Sequence, residues 1–275
     1  MFRNITLGQY YPVDSILHRL DPRVKLAGVV VYIAALFIIN NIWGFIFLGG
    51  GLAAIIAASR VPVRYMMKGL RAVLFFILFA VVFNLFSGSG EILWQWWILK
   101  LTANGILKAI FFALRLLCVV LGAGLLTYTT TPTTLTSGLE KVFSPFEVIH
   151  FPAHEIAMMM SIALRFIPIL ADEVNKITNA QLARGADFET GGIFKKAKGM
   201  IPILIPLFVS AFKRAADLAT AMEARCYHGG SGRTKIFPLR YEKRDKAAYV
   251  IVLAYLAAAI LLRIYMTKFS IAGSI

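Results

Sequence analysis

Long apolar runs separated by short polar breaks dominate the first half of the chain. Residues 26–39 are apolar up to Asn40-Asn41, residues 42–58 up to Ser59-Arg60, and residues 72–86 up to Ser87-Gly88-Ser89-Gly90. Residues 106–126 are apolar apart from Lys108 and Arg115, and residues 247–266 apart from Arg263. A helix needs about 20 residues to cross the ~30 Å hydrocarbon core of a bilayer. Each run is therefore a candidate span, and the first three must recruit flanking residues. The pattern predicts an all-α polytopic membrane protein with about five transmembrane helices.

Between the fourth and fifth runs the pattern changes. Residues 128–246 hold 16 of the 29 basic and 11 of the 14 acidic residues, far more chain than a connection requires. They read as a cytoplasmic domain of long amphipathic helices. This divides the chain into 1–127, a membrane part with four spans; 128–246, the cytoplasmic domain; and 247–275, the last span and tail. Residues 131–146 form a short amphipathic piece, with Pro132 suited to a first turn and Ser144-Pro145 ending it. Ile156, Met160, Ala163, Ile167, Leu170, Val174, Ile177 and Gln181 then recur at helical spacing and lead to Arg184. Leu204, Leu207, Ala211, Ala215, Leu218 and Met222 form a second stripe leading to Arg225. The most apolar stretches, 158–170 and 201–212, are too short to span, so both helices are expected to lie across the cytoplasmic face; the alternative, a transmembrane reading of 153–171, would make six spans and change the side of the C-terminus.

Both stripes end on one phrase. Ala180 to Gly185 reads Ala-Gln-Leu-Ala-Arg-Gly, and Ala221 to Cys226 reads Ala-Met-Glu-Ala-Arg-Cys. Ile-Pro-Ile-Leu precedes each, at 167–170 and 201–204, a weak internal repeat. One reading is helix termination: Arg suits the negative end of the helix dipole and Gly tolerates a left-handed cap, a role for which Cys226 is no natural choice. The other is docking, since Arg between small residues offers a rigid fork of donors to a close partner backbone.

Charge sets the orientation. The chain has 275 residues, 59% of them hydrophobic, a mean hydropathy of +0.74 and a net charge of +15. Arg3, Arg19, Arg23 and Lys25 precede the first span; Arg60, Arg64, Lys68 and Arg71 follow the second. The 40–41 turn is uncharged, and the 87–105 loop has only Glu91 and Lys100. The positive-inside rule then puts the N-terminus in the cytoplasm and, with five spans, the C-terminus outside. Trp94, Trp96 and Trp97 fall in the outer loop, as interfacial rings do. The first 25 residues lack the apolar core and cleavage site of a signal peptide. Cys118 and Cys226 are predicted too far apart to pair. Anionic headgroups of the bilayer, rather than nucleic acid, are the expected counterpart of the net charge, because the basic residues are mixed with acids and lack interleaved aromatics.

Familiar chemistry is missing. The run 229–235, Gly-Gly-Ser-Gly-Arg-Thr-Lys, has the wrong order for a phosphate loop, so any ATP must be bound by another chain. His150 and His154 are separated by Pro152, which argues against a shared helix face and against a metal. Arg115 within the fourth span reads equally as a functional charge or as an inter-helix hydrogen bond. Gly49-Gly50-Gly51 and Gly122-Ala123-Gly124 would let helices approach closely. No catalytic residue, metal site or cofactor site is expected. The competing reading, a membrane-embedded enzyme gripping a phosphorylated lipid through Arg184 and Arg225, lacks a convincing set of carboxylates.

On these residues the chain resembles the transmembrane T component of energy-coupling factor transporters, the vitamin- and metal-importing branch of the ABC class. Ala183-Arg184-Gly185 matches the first of that family's two X-Arg-Gly motifs. Ala224-Arg225-Cys226 matches the second, with Cys for Gly. Leu20-Asp21-Pro22-Arg23-Val24-Lys25 also resembles the family's entry to the first span. The resemblance implies a non-catalytic scaffold in a prokaryotic plasma membrane. Its long coupling helices, ending in these six residues, would sit in grooves of two ATP-binding cassette subunits. The membrane part would hold a substrate-binding S component, and ATP-driven movement would release a vitamin or other micronutrient inside.

Overall fold

A computed structural model describes residues 9–86, 92–96, 99–186, 192–229 and 239–272. Among the described residues there are eight α-helices: α1 (Pro22–Ile38), α2 (Ile42–Ser59), α3 (Val63–Phe86), α4 (Ala103–Thr129), α5 (Pro132–Phe143), α6 (Ala153–Ala183), α7 (Ile193–Ala224) and α8 (Lys243–Ala272). A 3-10 turn, Ser144–Ile149, links α5 to α6. Between α3 and α4 the chain forms an antiparallel hairpin of β1 (Ile92–Trp96) and β2 (Leu99–Thr102), with a bulge between Ile92 and Trp94. Trp94 and Trp96 lie in β1, which the apolar pattern does not predict. Ser87–Gly90, Glu91 and Trp97 lie outside the described residues.

The described residues up to Gly138 and from Leu239 onward form one compact unit, and those of 139–238 form another. The first contains the expected spans. Local chemistry sets their ends. Asp21 caps α1 by accepting the Arg23 N–H at 2.9 Å, and Pro22 takes the first turn, where no N–H is needed. Thr102 caps α4 through the Gly105 N–H at 3.2 Å. α2 closes on Arg60 in the left-handed conformation, while the Ser59 hydroxyl donates to the Ile56 carbonyl at 2.6 Å.

The bundle core gathers Tyr32, Leu36, Phe45, Leu48, Leu52, Cys118 and Ala259 from α1, α2, α4 and α8. Two glycines of the triplets expected to permit close helix approach admit aromatic rings instead. Gly51 backs onto the Tyr255 ring, whose hydroxyl reaches the Phe47 and Leu48 carbonyls at 3.1 Å, and Gly122 backs onto Tyr32. Gly49 and Gly50 face open space. Arg115 resolves as an inter-helix tie: its Nη2 donates to the Ile39 carbonyl and the Asn40 Oδ1, both at 2.8 Å, and its guanidinium lies near Phe37 and Phe45. It pins the turn between α1 and α2.

The start of α1 meets both ends of the segment that follows the fourth span. Lys25 Nζ donates to the Thr129 carbonyl at 2.9 Å and to Thr130 Oγ1 at 3.3 Å. The Asp21 N–H donates to Asp245 Oδ1 at 2.9 Å. The end of α4 and the start of α8 therefore lie at the same end of the bundle. The chain between them crosses the bilayer an even number of times or not at all, which rules out residues 153–171 as a lone sixth span.

Five described helices are long and apolar enough to cross a membrane: α2, α4, α6, α7 and α8. α1 has 17 residues and is continued by Ile39, and α3 bends by 63° between Arg71 and Val73. The apolar stretches 158–170 and 201–212 thus sit inside long helices of 31 and 32 residues, as the stripes leading to Arg184 and Arg225 predicted, except that α7 begins at Ile193, well before the first residue of its stripe.

Candidate docking site at two helix ends

α6 and α7 pack as an antiparallel pair. Glu173 on α6 accepts from Ser210 Oγ at 2.6 Å and from Arg214 Nη2 at 2.9 Å on α7, and Gln181 Nε2 lies 3.5 Å from the Pro202 carbonyl. Of the α7 stripe, Leu207, Ala211, Leu218 and Met222 are half-buried, while Leu204 and Ala215 are exposed; Ile203, Ser210 and Arg214 complete the covered side. The Glu173–Ser210–Arg214 contact was invisible to an apolar-stripe reading because all three members are polar. Its one signal was a carboxylate and a guanidinium on helices already paired by their stripes.

The two phrases fold into the same structure. In the first, Arg184 is the last residue near helical geometry (φ −86°, ψ 6°) and Gly185 turns left-handed at φ +83°. The Ala186 N–H returns to the Gln181 carbonyl and the Gly185 N–H to the Leu182 carbonyl, both at 3.0 Å. In the second, Arg225 has φ −95° and ψ 15°, and Cys226 turns left-handed at φ +55°. The Tyr227 N–H returns to the Met222 carbonyl at 3.0 Å and the Cys226 N–H to the Glu223 carbonyl at 2.9 Å. These are two Schellman motifs with an arginine at the identical position. Cys226, no natural cap by its side chain, takes the place Gly185 takes, so the third position of both phrases has the same role. A β-carbon there costs about 1–2 kcal/mol in left-handed strain.

Capping by backbone leaves both guanidinium groups unneeded for termination. Arg184 and Arg225 are exposed, as are Ala183, Gly185, Ala224 and Cys226. Arg184 follows three residues after Gln181, opposite Pro202. From Pro202 to Arg225 the chain runs 23 residues of helix, about 35 Å at 1.5 Å per residue. The pair thus offers one arginine near each end.

The other candidates separate. His150 closes the 3-10 turn in left-handed geometry, whereas His154 sits in the first turn of α6 with Nδ1 3.1 Å from Glu140 Oε1. Among the described residues no three His, Cys, Asp or Glu side chains gather as metal ligands. Cys118 is buried and Cys226 exposed, both as free thiols. Residues 230–235 of the glycine-rich run lie outside the described residues.

Comparison with known proteins agrees with this architecture. The family model described as cobalt transport protein, CbiQ, matches residues 14–236. The energy-coupling factor transporter transmembrane protein EcfT of Ruminiclostridium cellulolyticum is 47% identical over 262 residues, covering 95% of this chain and 98% of that protein. The protein of the same name from Clostridium kluyveri is 47% identical over 270 residues, covering 98% and 100%. That from Bacillus subtilis is 40% identical over 264 residues, covering 96% and 100%. With this similarity along nearly its whole length and a bundle of apolar helices, the chain belongs to the EcfT/CbiQ family, the multi-pass transmembrane proteins of prokaryotic energy-coupling factor transporters.

Proposed function

We propose that this chain is the coupling subunit of its transporter, passing ATP-driven motion from two ATP-binding cassette subunits to a substrate-binding S component that imports a vitamin or other micronutrient. The observation that carries the reading is the pair of superimposable arginine caps near opposite ends of one antiparallel helix pair. Two equivalent knobs suit two equivalent sockets, as two copies or homologues of an ATPase subunit would present. A helix pair also transmits displacement well, because packed helices move as rigid bodies. The lipid-enzyme alternative asks both arginines to converge on one headgroup, and about 35 Å of helix between their levels opposes that.

Replacing each arginine tests the reading. Truncating an interfacial arginine that makes charge-assisted bonds costs about 2–5 kcal/mol. Arg184→Ala or Arg225→Ala should weaken one dock, lowering uptake while part of the complex survives. The double variant should lose the ATPases and transport, with the membrane bundle still folded. Lysine at either position should rescue poorly, since a point charge does not reproduce the fork. A double variant that assembles and transports like the parent would reduce these residues to helix ends.

A further inference from the structure

The chain leaves the bundle unit after Gly138 and re-enters it at Leu239. These junctions are 100 residues apart in sequence, yet both rest on the first turn of α1. A β-carbon on Gly138 would lie 3.1 Å from Pro22 Cβ and 3.2 Å from Pro22 Cγ, tighter than ordinary contact, so the absent side chain is what lets α5 press on Pro22. The next residue, Arg23, donates from Nη2 to the Leu239 carbonyl at 3.0 Å. Its guanidinium also covers the Tyr241 ring at 4.2 Å, and its Nε is 3.1 Å from Asp21 Oδ1. Both members of that ion pair are nearly enclosed, with side chains 12% and 3% exposed. Behind them the buried Asp245 carboxylate accepts the Asp21 N–H on one oxygen and the Glu242 N–H, at 2.8 Å, on the other.

We infer that the Asp21-Pro22-Arg23 turn is the joint of this subunit, with Gly138 and Arg23 as positioning residues that seat both chain junctions of segment 139–238 on the head of α1 and so pass its motion into the bundle. The inference rests on the coupling reading above. The polar groups of the contact are shared: two oxygens of Asp245 hold two strands of chain, and the Arg23 fork holds the re-entering carbonyl, the capping carboxylate and a ring at once. Such a contact resists separation, because breaking it leaves enclosed charges unpaired. A junction held this firmly makes α1, rather than the linkers, absorb the displacement.

The test uses the full complex purified with its ATPases and reconstituted in nanodiscs. Spin labels sit on cysteines introduced by Ile46→Cys in α2 and Arg165→Cys in α6, both exposed positions, with Cys118→Ala and Cys226→Gly removing the native thiols. The distance between labels is measured with ADP and with ATP plus vanadate. Arg23→Met and Gly138→Val should each shrink the nucleotide-driven distance change at least threefold while the ATPases stay bound and still hydrolyse ATP. Arg23→Lys, keeping one donor for the Leu239 carbonyl, and Gly138→Ala should be intermediate. Distance changes equal to the parent's in Arg23→Met and Gly138→Val overturn the joint. If either of those does not assemble, the milder pair decides, and an undiminished change in both overturns it. A parent complex that lacks ATPases or shows no nucleotide-driven change refutes the coupling reading instead.

Discussion

At the scale of single residues, the informative positions are the two left-handed caps. Gly185 and Cys226 adopt the same conformation, one without strain and one against it. Gly185→Ala should lower the stability of the α6 end by about 1 kcal/mol, and Cys226→Gly should leave the α7 end unchanged or up to about 1 kcal/mol better, since the glycine's relief of strain is partly offset by its freer unfolded chain. Hydrogen exchange of the Ala186 and Tyr227 amides, each bonded five residues back, reads the two ends separately. Faster exchange at Tyr227 in Cys226→Gly would contradict the shared cap. The sequence made the arginines visible because Arg before Gly is a recognisable ending, but it hid the equivalence of Cys226, since cysteine has no preference for a positive φ.

Among the elements, the spans were legible and their extents were not. Periodicity and run length located α1, α2, α4 and α8 because lipid demands unbroken apolar surface. The same criterion said nothing of the β1–β2 hairpin, which lies outside that solvent constraint; helical stripes traced α6 almost whole, from Ile156 to Arg184, but began α7 at Leu204 rather than Ile193 because residues 193–200 mix polar and apolar positions. Pro168, Pro202 and Pro206 lie inside these helices without ending them, against the usual breaking effect of proline. Contacts that depend on distant chain, such as Lys25 with Thr129 and Thr130, had no local signal at all.

For the whole molecule, the common end shared by α1, the exit from α4 and the entry to α8 makes sidedness a single choice. By the positive-inside rule, the basic residues before α1 and after α2 predict that this end faces the cytoplasm. Cysteines introduced by Ser89→Cys and Ser274→Cys, in a background without Cys118 and Cys226, should react with an impermeant maleimide from outside intact cells, and Gly192→Cys only after permeabilisation. Labelling of position 274 from inside alone would reverse the last span. The even-crossing rule for residues 131–242 was beyond the sequence, because it comes from one backbone carbonyl, a hydroxyl and one buried carboxylate rather than from any run of residue types.

The pairing of a buried Cys118 with an exposed Cys226 has a practical consequence. The unmodified protein already carries one addressable thiol, next to Arg225 at the tip of α7. An environment-sensitive dye placed there without mutagenesis becomes a local occupancy gauge for that tip: its emission should shift when ATPases are added, and its attachment should slow in the preassembled complex. The α6 tip, ending in Gly185, stays dark, so the two helix tips can be told apart within a single preparation.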